Sequence, residues 1–234
     1  MSENVQSADH SDKSGAASEF VEIVKTVVYA LLIALVLRIF LFQPFTIPSA
    51  SMEPTLLEGD YIIVSKYSYG YSHHSIPFSP KLFEGRVFSR APQRGDIIVF
   101  KLPRDGHTDY IKRLIGLPGD RIQVRGGVLY INGKALPRDP LTAQMVDTGY
   151  GFSREVERFI ETMPNARRYV TYDFGPDGQV DNTPVYIVPE DHYFFMGDNR
   201  DNSLDSRVPP AEGGVGFVPA ENLVGRAQLI LLSW

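Results

Sequence analysis

Apolar and polar positions along the chain change pattern twice. The first nineteen residues are rich in Ser, Ala, Asp and Glu with almost no large apolar side chain, so residues 1–19 are expected to form a disordered tail. From Phe20 to Phe42 the composition inverts, and Thr26 to Phe42 carries a single charge, Arg38, before Pro44 ends any helix. At 1.5 Å of rise per residue this stretch reaches roughly 34 Å, enough for the ~30 Å hydrocarbon layer of a bilayer. Glu22, Lys25 and Arg38 lie toward its ends, where long side chains reach the interface. A cleaved signal sequence wants a shorter run and small residues at its end, whereas Phe40-Leu-Phe-Gln-Pro-Phe is bulky. Residues 20–43 therefore read as an uncleaved transmembrane anchor. Lys13 and Lys25 precede the run's centre and no Lys or Arg follows Arg38 until Lys66, a bias toward a cytoplasmic amino terminus.

After Pro44 short apolar or alternating runs recur: Tyr61 to Val64, Asp96 to Lys101, Tyr110 to Ile115, Val128 to Ile131, Tyr169 to Phe174, Val185 to Val188, His192 to Met196 and Ala227 to Leu232. Gly126-Gly127, Asn132-Gly133 and Pro176-Asp177-Gly178 punctuate them. This pattern predicts a mainly β protein, an antiparallel sandwich or barrel behind one transmembrane helix. Arg154 to Thr162, with Ser153 as its N-cap, reads as one short helix. The closing Leu229 to Leu232 run is too short to span a bilayer.

Composition narrows the chemistry. The absence of cysteine removes disulfides and thiolate nucleophiles, and a net charge of -5 without a basic stripe argues against nucleic acid as a partner. His10, His73, His74, His107 and His192 stand in no recognised metal-binding spacing. The loop from Tyr67 to Phe88 carries Tyr67, Tyr69, Tyr71, Phe78, Phe83 and Phe88, and reads equally as an interfacial aromatic belt or as packing against the β domain.

The most informative stretch is Ile47 to Thr55, IPSASMEPT, which sets a serine-methionine turn just beyond the apolar run. A serine hydroxyl is a weak nucleophile without a base, and no GxSxG or Ser-x-x-Lys motif supplies one. Lys112 follows some sixty residues later in YIKR, where strand alternation puts Tyr110, Lys112 and Leu114 on one face and Arg113 on the other. A lysine desolvated on an apolar face loses its proton more easily and can serve as a general base. From this stretch alone, an edge-strand charge that discourages aggregation is the more ordinary reading.

Four blocks in order, PSASMEPTL at 48–56, RGDIIVF at 94–100, YIKRLIGLPGD at 110–120 and GDNRDNSLDSR at 197–207, resemble the bacterial type I signal peptidases. The resemblance implies Ser51 as nucleophile, Lys112 as general base and Ser203 as the group that orients the lysine. It implies an oxyanion hole from the Ser49 hydroxyl and the Ser51 backbone N–H. Arg113, Asp198, Asp205 and Arg207 match the family's charged scaffold, and Phe45, Ile47, Leu56, Ile62, Val99 and Ile111 match its shallow pockets for small side chains. The implied activity is cleavage of signal peptides from exported preproteins after an Ala-x-Ala site, through an acyl-enzyme and without a cofactor. A dedicated single-substrate peptidase and an inactive signal-peptide-binding module are the alternatives. The implied location is the bacterial inner membrane, with the amino terminus cytoplasmic, the catalytic domain on the periplasmic face, and lipid as a further partner. The catalytic domain is then expected at 44–120 and 191–234, with a variable subdomain inserted at 121–190. Nine residues from Phe42 to Ser51 keep the serine within roughly 32 Å of the end of the apolar run at ~3.6 Å per residue.

Overall fold

The computed structural model describes residues 8–80, 82–147, 153–175 and 178–233, and the chain divides into two units, Met1–Leu41 and Phe42–Trp234. The first is one helix, α1 (Ala8–Phe40). Its Ser18–Phe40 stretch has a mean hydropathy of 2.3 and is long and apolar enough to cross a membrane. Apolar side chains cover every face of that stretch and stay exposed within the chain, as in a helix whose partner is lipid. The helix begins at Ala8, inside the segment read as a disordered tail, because an established helix extends at little further entropic expense through Ala, Lys and Glu. Residues 1–7 of that tail lie outside the described residues.

The second unit is built from antiparallel strands. In chain order these are β1 (Phe42–Thr46), β2 (Tyr61–Ser65), β3 (Ile97–Lys101), β4 (Asp109–Gly116), β5 (Arg121–Arg125), β6 (Val128–Ile131), β7 (Lys134–Ala135), β8 (Arg138–Asp147), β9 (Ser153–Thr162), β10 (Arg168–Asp173), β11 (Tyr186–Ile187), β12 (His192–Met196), β13 (Val218–Pro219) and β14 (Leu223–Leu232). Seven form the main sheet in the order β1-β2-β14-β3-β4-β12-β13, β8 to β10 form a second sheet in the order β10-β9-β8, and the rest form a third in the order β11-β5-β6-β7. The mainly β architecture behind one apolar helix is the fold class expected from the pattern. The two-residue turns at Gly126-Gly127 and Asn132-Gly133 have positive φ at both positions, the left-handed geometry that matches the twist of the hairpins β5-β6 and β6-β7. The turn expected at Pro176-Asp177 lies outside the described residues.

Arg154 to Thr162 is strand β9, not a helix. Its partners decide this: β8 and β10 pair with it on both sides, and Val156 and Glu161 are buried by the pairing. Charge-rich spacing favoured a helix locally, and tertiary pairing overrode it. β1 and β8 also escaped the pattern reading because Pro44 and Pro140 interrupt them. Both are edge strands, where a missing N–H is tolerated.

Residues 121–190 supply the two smaller sheets, yet their side chains do not form a separate core. Ile122, Val124, Leu129, Ile131 and Tyr169 pack with Ile115 of β4 and with Phe194 and Met196 of β12. A second cluster joins Ile98, Phe100, Leu114 and Phe195, and a third gathers Ile47, Met52, Ile62, Val99 and Ile111 beneath the turn that carries Ser51.

Candidate active site

The turn at Ser51 is held from below. β1 runs into extended Ser49, and a single helical turn, Ala50–Met52, follows. Met52 is fully buried in the third apolar cluster, so the turn cannot lift without exposing it. Fully burying a side chain of this kind contributes roughly 1.5–3 kcal/mol. Ser51 is itself buried, and its Oγ lies 3.2 Å from Ser49 Oγ.

β4 brings Lys112 to this hydroxyl. Lys112 is buried, with Nζ 2.6 Å from Ser51 Oγ and 3.0 Å from the Ile111 carbonyl oxygen, which it donates to. Burial is the dominant influence on its ammonium and brings the pKa down from 10.5 to about 8, with Asp205 and Asp198 opposing the shift. A neutral amine at 2.6 Å is within reach of the serine proton.

Ser203 lines the same cleft, but its hydroxyl makes no hydrogen bond to Lys112. Ser203 Oγ is buried and has no partner among the described residues, an open valence beside the lysine. Its approach to the serine turn depends on Gly197. A β-carbon there would lie 2.3 Å from Ser203 Oγ and 2.4 Å from the Ser51 carbonyl oxygen, so the missing side chain is what lets the two segments meet.

The four matched charges form two buried pairs. Arg113 grips Asp198 through Nε at 2.7 Å and Nη2 at 2.6 Å, donates to the Gly95 carbonyl, and stacks 4.2 Å from the Tyr169 ring centroid. Arg207 grips Asp205 through Nε at 2.9 Å and Nη2 at 2.8 Å, while Asp205 also accepts the Gly197 N–H. Burial raises the Asp205 carboxyl, but Arg207 and these N–H donors outweigh it and hold the carboxyl below its ordinary value. The Asp205 carboxylate therefore stays charged near Lys112.

The six apolar residues assigned to pockets all fall in the third cluster, with Phe45 only half-buried at its edge. Ile111 also lines an open cleft of about 900 Å³ that contains Ser49, Ser51, Lys112 and Ser203. One wall of this cleft is Pro48–Ser49 together with Thr108–Lys112. The other comes from Arg154, Phe174 and the segment Asp201–Leu204.

Four residues of this neighbourhood were not singled out in the sequence. Asn199 clamps the serine turn, donating from its backbone N–H to the Ser51 carbonyl at 3.2 Å and from Nδ2 to the Ala50 carbonyl at 3.1 Å. Arg200 beside it is buried and bound through both terminal nitrogens to Glu161 of β9, at 2.6 and 2.5 Å, with Tyr169 donating to the same carboxylate. Main-chain bonds from Tyr172 to Asp198 and from Arg200 to Tyr172 tie β10 to this loop. Asn199 and Arg200 lay within the GDNRDNSLDSR block, whereas Glu161 and Tyr169 carried no local signal. Among the described residues, no cluster of three or more His, Asp or Glu side chains is arranged to hold a metal.

In the aromatic loop the residues divide. Tyr69 is buried and donates to Asp96, while Phe78, Leu82 and Phe88 are exposed. Tyr67 stacks edge-on against Phe42 at 5.6 Å.

Comparison with known proteins bears on this geometry. The profile of the family described as signal peptidase, peptidase S26, matches residues 20–234. Proteins named signal peptidase I from Rickettsia typhi and Rickettsia prowazekii are each 48% identical over 213 residues, covering 88% of this chain and 77% of theirs. The namesake from Rickettsia felis is 47% identical over the same span. A crystal structure of a signal peptidase I from Enterococcus faecalis V583 is 30% identical, covers 58% of this chain and 97% of its own, and superposes with a TM-score of 0.33. With the profile running from the apolar helix to the last residue and relatives this similar over most of their length, the chain belongs to the signal peptidases, peptidase family S26.

Proposed function

We propose that this protein is a membrane-anchored endopeptidase that removes signal peptides from exported preproteins, with Ser51 as nucleophile and Lys112 as general base. The observation that carries the reading is the 2.6 Å approach of a buried lysine, its pKa lowered to about 8, to a buried serine on a fixed turn.

The substrate segment adds to a free sheet edge. β3 pairs with β4 from Asp109 to Arg113, but on the other side β12 pairs only with Arg113, Leu114 and Gly116. Among the described residues, the main chain from Asp109 to Lys112 is thus left without a strand on its second side, and it lines the cleft together with Pro48 and Ser49. An extended peptide entering there gains main-chain hydrogen bonds, and its alternate side chains face the apolar cluster. Phe45, Ile47, Leu56, Ile62, Val99 and Ile111 then select small residues one and three positions before the cut by excluding bulk.

Ser51 Oγ attacks the scissile carbonyl carbon as neutral Lys112 takes its proton. The tetrahedral oxyanion is stabilised by the Ser51 N–H and the Ser49 hydroxyl. Collapse breaks the C–N bond, and the departing amine of the mature protein takes the proton from Lys112. Lys112 then removes a proton from water as it attacks the ester carbonyl, and returns that proton to Ser51 Oγ as the C–O bond breaks, so the signal peptide leaves with a free carboxyl group and serine and neutral lysine are restored. Asp198, Asp205, Arg113 and Arg207 hold the frame, and Ser203 orients the lysine once its free hydroxyl finds the amine.

The apolar α1 supports anchoring in the bacterial inner membrane. The Lys13 and Lys25 bias supports a cytoplasmic amino terminus with catalysis on the outer face. Exposed Phe78 and Phe88 favour lipid as the loop's neighbour.

The test is to incubate the detergent-purified protein with a preprotein bearing an Ala-x-Ala site and to map the products by mass spectrometry. A cut after the second Ala that vanishes in Ser51→Ala and in Lys112→Ala is expected. Binding without a cut by the unaltered protein would overturn the reading.

A further inference from the structure

The cleft extends beyond the serine and the lysine, and its second wall has a different chemistry from the first. Among the described residues, Arg154 of β9 and Lys112 are the only cations lining it. Arg154 is exposed, donates from Nη2 to the Phe174 carbonyl at 3.1 Å, and lies 4.3 Å from the Phe174 ring centroid. The guanidinium is thereby held over an aromatic ring, and among the described residues no carboxylate pairs with it. The other charges of the cleft are engaged. Asp109 is 2.9 Å from Lys101, and Asp201 is buried on one side, its Oδ2 accepting the Phe174 N–H at 2.7 Å while its Oδ1 has no partner among the described residues. Arg154 therefore presents unused, preorganised N–H donors to whatever fills this part of the cleft.

We propose that Arg154, braced by Phe174, is a specificity-determining residue that reads an acidic side chain in the first residues after the scissile bond. This rests on the peptidase reading above. A peptide held across Ser51 places the residues before the cut on the apolar cluster that reaches the cleft at Ile111. The remaining lining, with Arg154, Phe174 and Asp201, then faces the segment that becomes the amino terminus of the mature protein. An Asp or Glu there meets the guanidinium, and a Lys or Arg is repelled. Because the contact is exposed to solvent, its influence is modest and salt-sensitive, about 2- to 5-fold in kcat/KM.

The experiment uses the full chain in detergent and a set of preproteins with one signal peptide and one Ala-x-Ala site. They carry Glu, Gln or Lys in turn at each of the first three positions after the cut, with a second set altered before it. The unaltered protein is expected to prefer Glu over Lys about 2- to 5-fold at one or more positions after the cut at low salt, and to lose the preference at high salt. Arg154→Gln should abolish the preference and Arg154→Glu should invert it, each read as the Glu-to-Lys ratio within one protein so that any change in overall rate cancels. A preference unchanged in Arg154→Glu, or one confined to positions before the cut, would overturn the proposal. Cleavage of none of the substrates would instead remove the peptidase reading beneath it.

Discussion

Lys112 Nζ and Ser51 Oγ, 61 positions apart in the chain, lie 2.6 Å from each other in a site with little access to water. The amine accepts a proton only when neutral, and burial brings its pKa from 10.5 to about 8. The neutral fraction, and with it kcat/KM, should fall about tenfold for each pH unit below about 8 and level off above it. A pH-rate profile of the detergent-solubilised protein checks this, and a flat acid limb down to about pH 5 would exclude a lysine base.

The same burial makes Lys112 a burden on the fold. With the folded pKa below the unfolded one, the unfolded chain binds more protons between about 8 and 10.5, so stability rises with pH across that window. Below it the penalty is present in full, about 3 kcal/mol for a shift of this size. Lys112→Met should be inactive yet more resistant to urea at pH 7. Its advantage should shrink as pH climbs toward 10.5, and an advantage independent of pH would contradict the assignment.

Gly197→Ala drives a methyl group against both Ser203 Oγ and the Ser51 carbonyl. The serine turn has to shift by a fraction of an ångström, and misplacement on that scale lowers kcat by about 100-fold. KM should change little, because the β4 edge is untouched. Steady-state kinetics separate the two constants, and a change confined to KM would argue against the close approach.

Glu161→Ala leaves the Arg200 guanidinium buried without its carboxylate and should destabilise the protein by about 3–5 kcal/mol. Removing both charges, as in Glu161→Leu with Arg200→Met, should recover much of that loss. Denaturation midpoints of the single and double variants decide the point, since additive losses would mean that the pair is not coupled.

Much of the frame was readable in the sequence because it rests on local signals. β2, β4, β6 and β12 follow alternation or short apolar runs, and the hairpin glycines mark their own turns. Four short blocks sufficed to bring Ser51 and Lys112 into the same hypothesis. What escaped depends on partners far along the chain. β9 looks helical until β8 and β10 flank it, and Glu161 looks like a surface charge until Arg200 lies against it. Ser203 was expected to bond Lys112, yet its hydroxyl is unpartnered while Asn199, which no spacing singled out, clamps the serine turn.

The clamped serine and the lysine beside it draw on three distant stretches: the turn at Ala50–Met52, strand β4, and the loop at Asp198–Arg200, which is itself bonded to β10. No fragment of the chain shorter than the span from Ser51 to Arg200 contains all of them. While the polypeptide is still emerging from synthesis, the serine turn consequently lacks the Asn199 bonds that hold it. The turn that carries Ser51 gains its full set of bonds only when residues 198–200 reach it, late in the chain.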